Sequence, residues 1–178
     1  MTSTTDIATG TDWVTGTWTI DPSHSEVGFT VRHLVSKVRG QFETFEGTLT
    51  TGATLEETRA NASIDLNSVN TRDAGRDGHL RSADFFDVEN HGPMTFATTS
   101  FNGQTATGEL TLKGVTKPVT LNAKFTGAGK GPMNQLETVA FEATTTIKRS
   151  DFGISYGVPF VPDEVPLQIT VAFEKAKA

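Results

Sequence analysis

The chain has 178 residues, a net charge of −6 and no cysteine. This length suits one domain with a substantial core, and the lack of cysteine excludes disulfides, thiol catalysis and thiolate metal sites. The acidic balance argues against a nucleic-acid surface or an anionic membrane patch, and no apolar run is long enough for stable membrane insertion. The first residues, MTSTTDIATGTDW, have neither the basic start nor the apolar region of a signal peptide, which predicts a cytoplasmic protein.

Residues 1–15 are small and polar, and we expect them to form a flexible N-terminal arm. Residues 16–178 are expected to form one domain. Apolar and polar residues alternate in most of it, which is the pattern of half-buried strands. The alternating segments are residues 16–21, 25–34, 45–49, 60–66, 94–98, 106–112, 119–125, 139–147 and 165–173.

These segments predict about eight strands, with no repeat and no βαβ rhythm. A closed barrel is favoured over a sandwich, because closure leaves no exposed edge and the regular last strand needs a partner on both sides. The predicted fold is an all-β, eight-stranded antiparallel barrel with one or two short helical excursions.

Three segments interrupt the alternation. Two of them, residues 35–42 and residues 149–156, are each predicted to form a short helical turn. Between these lies the longest, residues 67–93, which is dense in charge and too long for a hairpin turn. Within it Asp77 and Arg81 have helical ion-pair spacing, and Ser82 is placed to cap a helical turn that ends in two phenylalanines. We expect this excursion to cover one end of the barrel.

The apolar strand faces mix large and very small residues. The small ones on several strands favour an internal cavity, although they would equally fit the taper of a packed barrel. His33 is the one titratable residue on an otherwise apolar face. It either orients a ligand head group or is a core histidine that a carbonyl satisfies, and Arg39 would either meet a polar head or lie in solvent. The candidate ligand-binding residues are Phe29, Val31, His33, Arg39, Phe45, Phe85, Phe86, Met94, Phe96, Phe125, Phe141, Tyr156 and Ile169.

No catalytic site and no metal site is predicted. Residues 153–157 match G-x-S-x-G, but no α/β sheet is present to form a nucleophile elbow. The four histidines lack the spacing of a helical metal pair, and no loop is suited to phosphate.

Four stretches resemble the YceI family of lipocalin-like, polyisoprenoid-binding proteins. They are RDGHLRSADFFDVENHGPMTF, WTIDPSHSEVGFTVRHLVSKVRGQFETFEG, GELTLKGVTKPVTL and IKRSDFGI. The resemblance implies an antiparallel barrel that holds an isoprenoid lipid, either a polyprenyl chain or an isoprenoid quinone, with no other cofactor. It also implies a homodimer.

The leading hypothesis is therefore a non-enzymatic carrier that sequesters an amphipathic isoprenoid lipid in the barrel lumen. One alternative is a lipid isomerase or cyclase that uses His33 as acid or base, which would need a second group to orient it. Another is a structural, stress-related protein with a packed core.

Overall fold

The computed structural model describes residues 15–175 and shows a closed antiparallel β-barrel. Its strands are β1 (Gly16–Ile20), β2 (Glu26–His33), β3 (Ser36–Phe42), β4 (Phe45–Thr51), β5 (Arg59–Ile64), β6 (Val69–Asn70), β7 (Met94–Phe101), β8 (Thr105–Leu112), β9 (Val115–Lys130), β10 (Glu137–Lys148) and β11 (Glu164–Lys175). Helix α1 spans Ala74–Arg81. Short 3-10 turns occupy Pro22–His24, Leu55–Glu57, Leu66–Ser68 and Arg149–Phe152.

Eight strands close the barrel, in the order β1-β4-β5-β7-β8-β9-β10-β11, and β1 pairs again with β11. Strands β2, β3 and β6 continue the same sheet from β11. The predicted eight-stranded all-β barrel is confirmed. Residues 1–14 of the expected arm, and the last three residues of the expected domain, lie outside the described residues.

The two ends of the barrel differ. One end, called here the helix end, carries α1, the β2–β3 hairpin and the segments 82–93 and 153–163. The opposite end carries the turns at 102–104 and 131–136 and the Leu55–Glu57 turn. Each end has its own apolar cluster. Trp18 and Leu55 belong to the cluster of the opposite end, and Phe152 and Leu66 to that of the helix end.

The predicted helical turn at residues 35–42 is wrong, because Ser36–Phe42 forms strand β3 and pairs with β2 from Val27 to His33. The connecting turn is Leu34–Val35, with a φ of 55° at Leu34. Two-residue hairpin turns usually contain Asn or Gly, because these residues tolerate positive φ. This turn contains neither, so the hairpin has no local sequence signal.

The excursion between β6 and β7 contains α1, but its polar contacts differ from those expected. Asp73 caps the start of the helix by accepting from the Arg76 amide, and Ser82 stands at the other terminus. The buried Asp77 accepts from the backbone N–H of Thr71 at 2.8 Å and from its hydroxyl at 2.5 Å. Among the described residues, Asp77 and Arg81 form no ion pair. Hydroxyl and backbone groups, rather than paired charges, hold this helix to the segment that leaves β6.

Arginine donors bind backbone carbonyls in both covering segments. Arg81 donates from Nε to the Asn67 carbonyl at 2.9 Å. The buried Arg149 donates to the carbonyls of Ile154, Val161 and Pro162 at 3.2, 2.9 and 3.0 Å. Burial lowers the pKa of Arg149, and the nearby Asp163 carboxylate offsets part of that shift. Arg149 therefore fixes the segment 153–163 against the end of β10.

Candidate functional site

The barrel contains an apolar cavity of about 170 Å³ that residues of both clusters line. Every strand of the closed ring contributes to its wall, because inward-facing residues recur at every second position along a strand. Large and small side chains share the wall. Its five alanines are Ala60, Ala62, Ala106, Ala123 and Ala143. These alanines leave room that larger side chains would fill, which is how an eight-stranded barrel keeps a cavity rather than a packed centre.

Five of the predicted ligand-binding residues line this cavity: Phe45, Met94, Phe96, Phe141 and Ile169. Met94 and Phe141 are buried, while Phe45, Phe96 and Ile169 are partly buried. All five lie on strands of the closed ring, so alternation alone placed them on the inner face. Their contact with a ligand remains a prediction.

Three further predicted residues pack in the core without lining the cavity. The ring of Phe29 covers Gly40 on the neighbouring strand, and its centroid lies 5.5 Å from that of Phe42. Val31 packs against the helix-end cluster. Phe125 contacts Phe141, with 5.4 Å between ring centroids. These side chains support the wall rather than face the space inside it.

The expectation that His33 faces the lumen is wrong. His33 is exposed and does not line the cavity. It is on the same strand face as Phe29, but β2 pairs with β11 only from Glu26 to Phe29. Beyond that point β2 pairs with β3 alone, and Val31 is the last residue of this face that packs against the helix-end cluster, so His33 is uncovered. Arg39 is also exposed, on β3, and borders a surface groove with Arg32 and Lys37.

The three predicted aromatic residues of the cover lie at the helix end, outside the cavity wall. Phe85 and Phe86 are partly buried against the helix-end cluster, and Phe86 contacts Phe42 at 5.9 Å between centroids. Tyr156 is 49% exposed. Its ring meets those of Phe85 and His79 at 5.3 and 4.9 Å. This aromatic contact joins the segment 153–163 to the end of α1, so both parts of the cover form one layer.

Sequence reasoning missed several residues of the wall. Phe42 lines the cavity from β3, where the sequence predicts a helical turn. The cavity wall also includes Leu110, Leu121, Leu167 and Val171, and the apolar alternation of their strands is the signal that identifies them.

One polar atom stands out in this apolar wall. Thr58 precedes β5, is 5% exposed and lines the cavity. Its Oγ1 has no hydrogen-bond partner among the described residues. A buried hydroxyl normally finds a partner, because leaving it without one is costly. Thr58 therefore offers a donor and an acceptor to a polar group inside the cavity. Its position outside a strand gave no sequence signal for this role.

The described part of the chain contains no metal-type cluster of side chains. Between residues 15 and 175, no group of three or more His, Cys, Asp or Glu side chains has the arrangement of a metal site. His79 Nε2 lies 2.8 Å from Oδ2 of Asp84, and His91 Nε2 lies 3.6 Å from Oδ2 of Asp87. Both pairs are on the surface of the excursion. In the same range, no helix has the length and apolar content of a membrane span.

Comparison with known proteins gives consistent matches over most of the chain. It is 36% identical to a UPF0312 protein of Staphylococcus aureus over 162 residues, covering 88% of this chain and 93% of that one. It is 32% identical to the crystal structure of a Campylobacter jejuni YceI protein, with a TM-score of 0.74 and coverage of 88% and 96%.

A polyisoprenoid-binding domain from Saccharophagus degradans, implicated in plant cell wall breakdown, has the same fold at 18% identity. Its TM-score is 0.69, with coverage of 92% of this chain and 100% of that one. The model of the YceI-like domain matches residues 18–173, which is nearly all of the described barrel. The chain therefore belongs to the YceI-like family.

Proposed function

We propose that this protein is a carrier that holds the apolar part of an amphipathic isoprenoid lipid in its barrel. The observation that carries the proposal is the apolar cavity that all eight strands of the ring line. Burying apolar lipid surface there is favourable by about 25 cal/mol per Å², before the cost of ordering the chain. The polyisoprenoid-binding domain from Saccharophagus degradans has this fold, which supports an isoprenoid as the ligand class.

The size of the cavity limits how the lipid is held. Its volume is about 170 Å³. A cavity of about 150 Å³ in another protein holds one benzene molecule, so this space accepts only a short length of tail without rearrangement. A longer tail requires wall side chains to change rotamer. Met94 is suited to this, because its unbranched thioether adapts to irregular spaces.

Two observations bear on the alternatives. An isomerase or cyclase that relies on His33 lacks its proposed acid or base in the lumen, because His33 is exposed on the hairpin. A structural protein with a filled core is disfavoured by the cavity itself. The carrier hypothesis uses the cavity and needs no titratable group inside it.

The proposal is tested by extracting lipid from the natively purified protein and measuring its mass. We expect an isoprenoid mass series from the wild type, and little from Ala143→Leu, which adds three carbons inside the cavity. The matched control is Ala97→Leu, on the exposed face of β7. Loss of lipid in both variants, or in neither, would contradict lumen binding, and a non-isoprenoid lipid would contradict the ligand class.

A further inference from the structure

The β2–β3 hairpin carries an apolar tip beyond the rim of the barrel. Residues Thr30 to His33 pair with β3 alone, because β2 leaves β11 after Phe29. At the tip, Leu34 is 73% exposed and Val35 is 100% exposed. Two neighbouring aliphatic residues in water at the end of a projecting hairpin have no role in the core.

Turn chemistry does not explain this pair. Leu34 has a φ of 55°, a left-handed conformation that a bulky side chain rarely adopts. Asn or Gly would relieve the strain and are the usual residues of such a turn. The turn thus holds aliphatic side chains at a local conformational cost, which points to a use outside the fold.

A second exposed apolar group lies at the same end. The segment 153–163 joins β10 to β11, and on it Phe160 is 80% exposed and Val158 is 43% exposed. Pro162, from this segment, borders the same surface groove as Arg32 and Lys37 of the hairpin. The two apolar groups therefore belong to one rim.

Cations accompany the apolar tip. From Val27 to Phe42 the chain has three of them, Arg32, Lys37 and Arg39, and no carboxylate. Arg32 and Lys37 lie directly opposite each other in the β2–β3 register, an arrangement that destabilises a sheet.

Within the described residues, the side chains of these three cations take part in no ion pair. They outnumber Glu26 and Glu164, the two carboxylates that border their groove. The net charge of −6 thus conceals a local positive excess at the hairpin.

We propose that this rim docks on the surface of an anionic lipid bilayer. The rim patch comprises Leu34, Val35, Val158, Phe160, Arg32, Lys37 and Arg39. Its apolar side chains would enter the headgroup region while its cations meet anionic headgroups. The purpose of docking rests on the proposed function, since a carrier of an amphipathic lipid must meet the bilayer that supplies or receives that lipid. The docking itself is measurable without that ligand.

The experiment is sedimentation of the full chain with vesicles of phosphatidylcholine alone, or with about a third of phosphatidylglycerol. We expect binding to the anionic vesicles that weakens with salt. The double change Leu34→Ser with Val35→Ser should lower the partition coefficient about tenfold. Met133→Ser is the matched control, because Met133 is 96% exposed at the opposite end. Changing Arg32, Lys37 and Arg39 to Gln should reduce binding to the level seen with phosphatidylcholine.

Three results would overturn the proposal. One is the absence of binding to anionic vesicles, and another is an equal loss in the Met133→Ser control. The third is a dimer that light scattering detects in the wild type but not in the Leu34→Ser, Val35→Ser variant, since the patch would then join two copies of the chain.

Ala143→Leu should bind vesicles like the wild type. If vesicles are not bound while isoprenoid is still extracted, docking is wrong and the carrier function stands. If vesicles are bound but no isoprenoid is extracted, the carrier function is wrong and docking stands.

Discussion

The indole nitrogen of Trp18 donates a hydrogen bond of 2.9 Å to Oγ1 of Thr51. Trp18 is 1% exposed and Thr51 2% exposed, and the Gly16 amide donates to the same oxygen at 3.1 Å. Thr51→Val preserves the side-chain shape but removes the acceptor from two donors. We expect it to lower the free energy of unfolding by about 1 to 3 kcal/mol, measured by chemical denaturation.

Thr50→Val is the control for that change, because Thr50 is exposed on the same strand. Its effect should stay within about 0.5 kcal/mol. Equal losses in the two variants would show that the threonines matter through strand packing rather than through the buried hydrogen bond.

Two buried threonines should respond to valine with opposite signs. Thr58 has an unpartnered hydroxyl, whereas the Thr71 hydroxyl binds Asp77 and accepts from Nε of Arg76 at 2.8 Å. We expect Thr58→Val to raise the free energy of unfolding of delipidated protein by about 1 kcal/mol, and Thr71→Val to lower it by about 1 to 3 kcal/mol. Thermal and chemical denaturation would measure both. A loss of stability in Thr58→Val would mean that its hydroxyl is satisfied.

The contact between Phe29 and Gly40 makes the hairpin sensitive to one methyl group. A Cβ atom at Gly40 would overlap the Phe29 ring. We expect Gly40→Ala to lower the free energy of unfolding by about 1 to 3 kcal/mol through overpacking. Gly129→Ala is the control, since a Cβ there meets no atom within 4 Å. In a Phe29→Ala background the cost of Gly40→Ala should fall, and an unchanged cost in that double-mutant cycle would contradict the steric explanation.

Acid should weaken the link between β10 and β11. Ser150 donates to Asp163 from its hydroxyl at 2.6 Å and its amide at 2.8 Å, and these bonds hold the pKa of Asp163 below its usual range. A lowered pKa in the folded state gives stability that is present above the unfolded pKa of about 4 and lost as the pH falls through the folded value.

The melting temperature should therefore fall further between pH 6 and pH 3 in the wild type than in Asp163→Asn. Ser150→Ala should flatten the profile in the same way, because it removes the donor hydroxyl. Glu142→Gln, on the exposed face of β10, serves as the control and should follow the wild type. Parallel profiles for wild type and Asp163→Asn would contradict the assignment.

The sequence predicted the barrel because strand alternation reports directly on which residues face inward. Met94, Phe96 and Phe141 were placed correctly on that basis. Alternation does not reveal where a strand leaves the barrel, so it predicts an inward position for His33, which the structure shows exposed. Strand β3 was missed because Leu34 and Val35 form its turn without a local turn residue.

Features that depend on several distant segments were also beyond the sequence. Thr58 lines the cavity from the residue that follows the Leu55–Glu57 turn, outside any strand. The carbonyl partners of Arg149 come from three residues of a segment without regular structure. Neither composition nor residue spacing predicts the position of Thr58 or the carbonyl partners of Arg149.

Strand β11 forms the seam of the barrel, because one of its edges pairs with β10 and the other with β1 and then β2. At the break between β1 and β2, the Ala172 amide donates to the Ser25 hydroxyl at 3.0 Å, across 147 residues of chain. The ring cannot close until β11 has left the ribosome. During synthesis, the edges of β1 and β10 that pair with β11 therefore remain unpaired. Such long-range closure predicts slow folding and a need for protection of nascent chains.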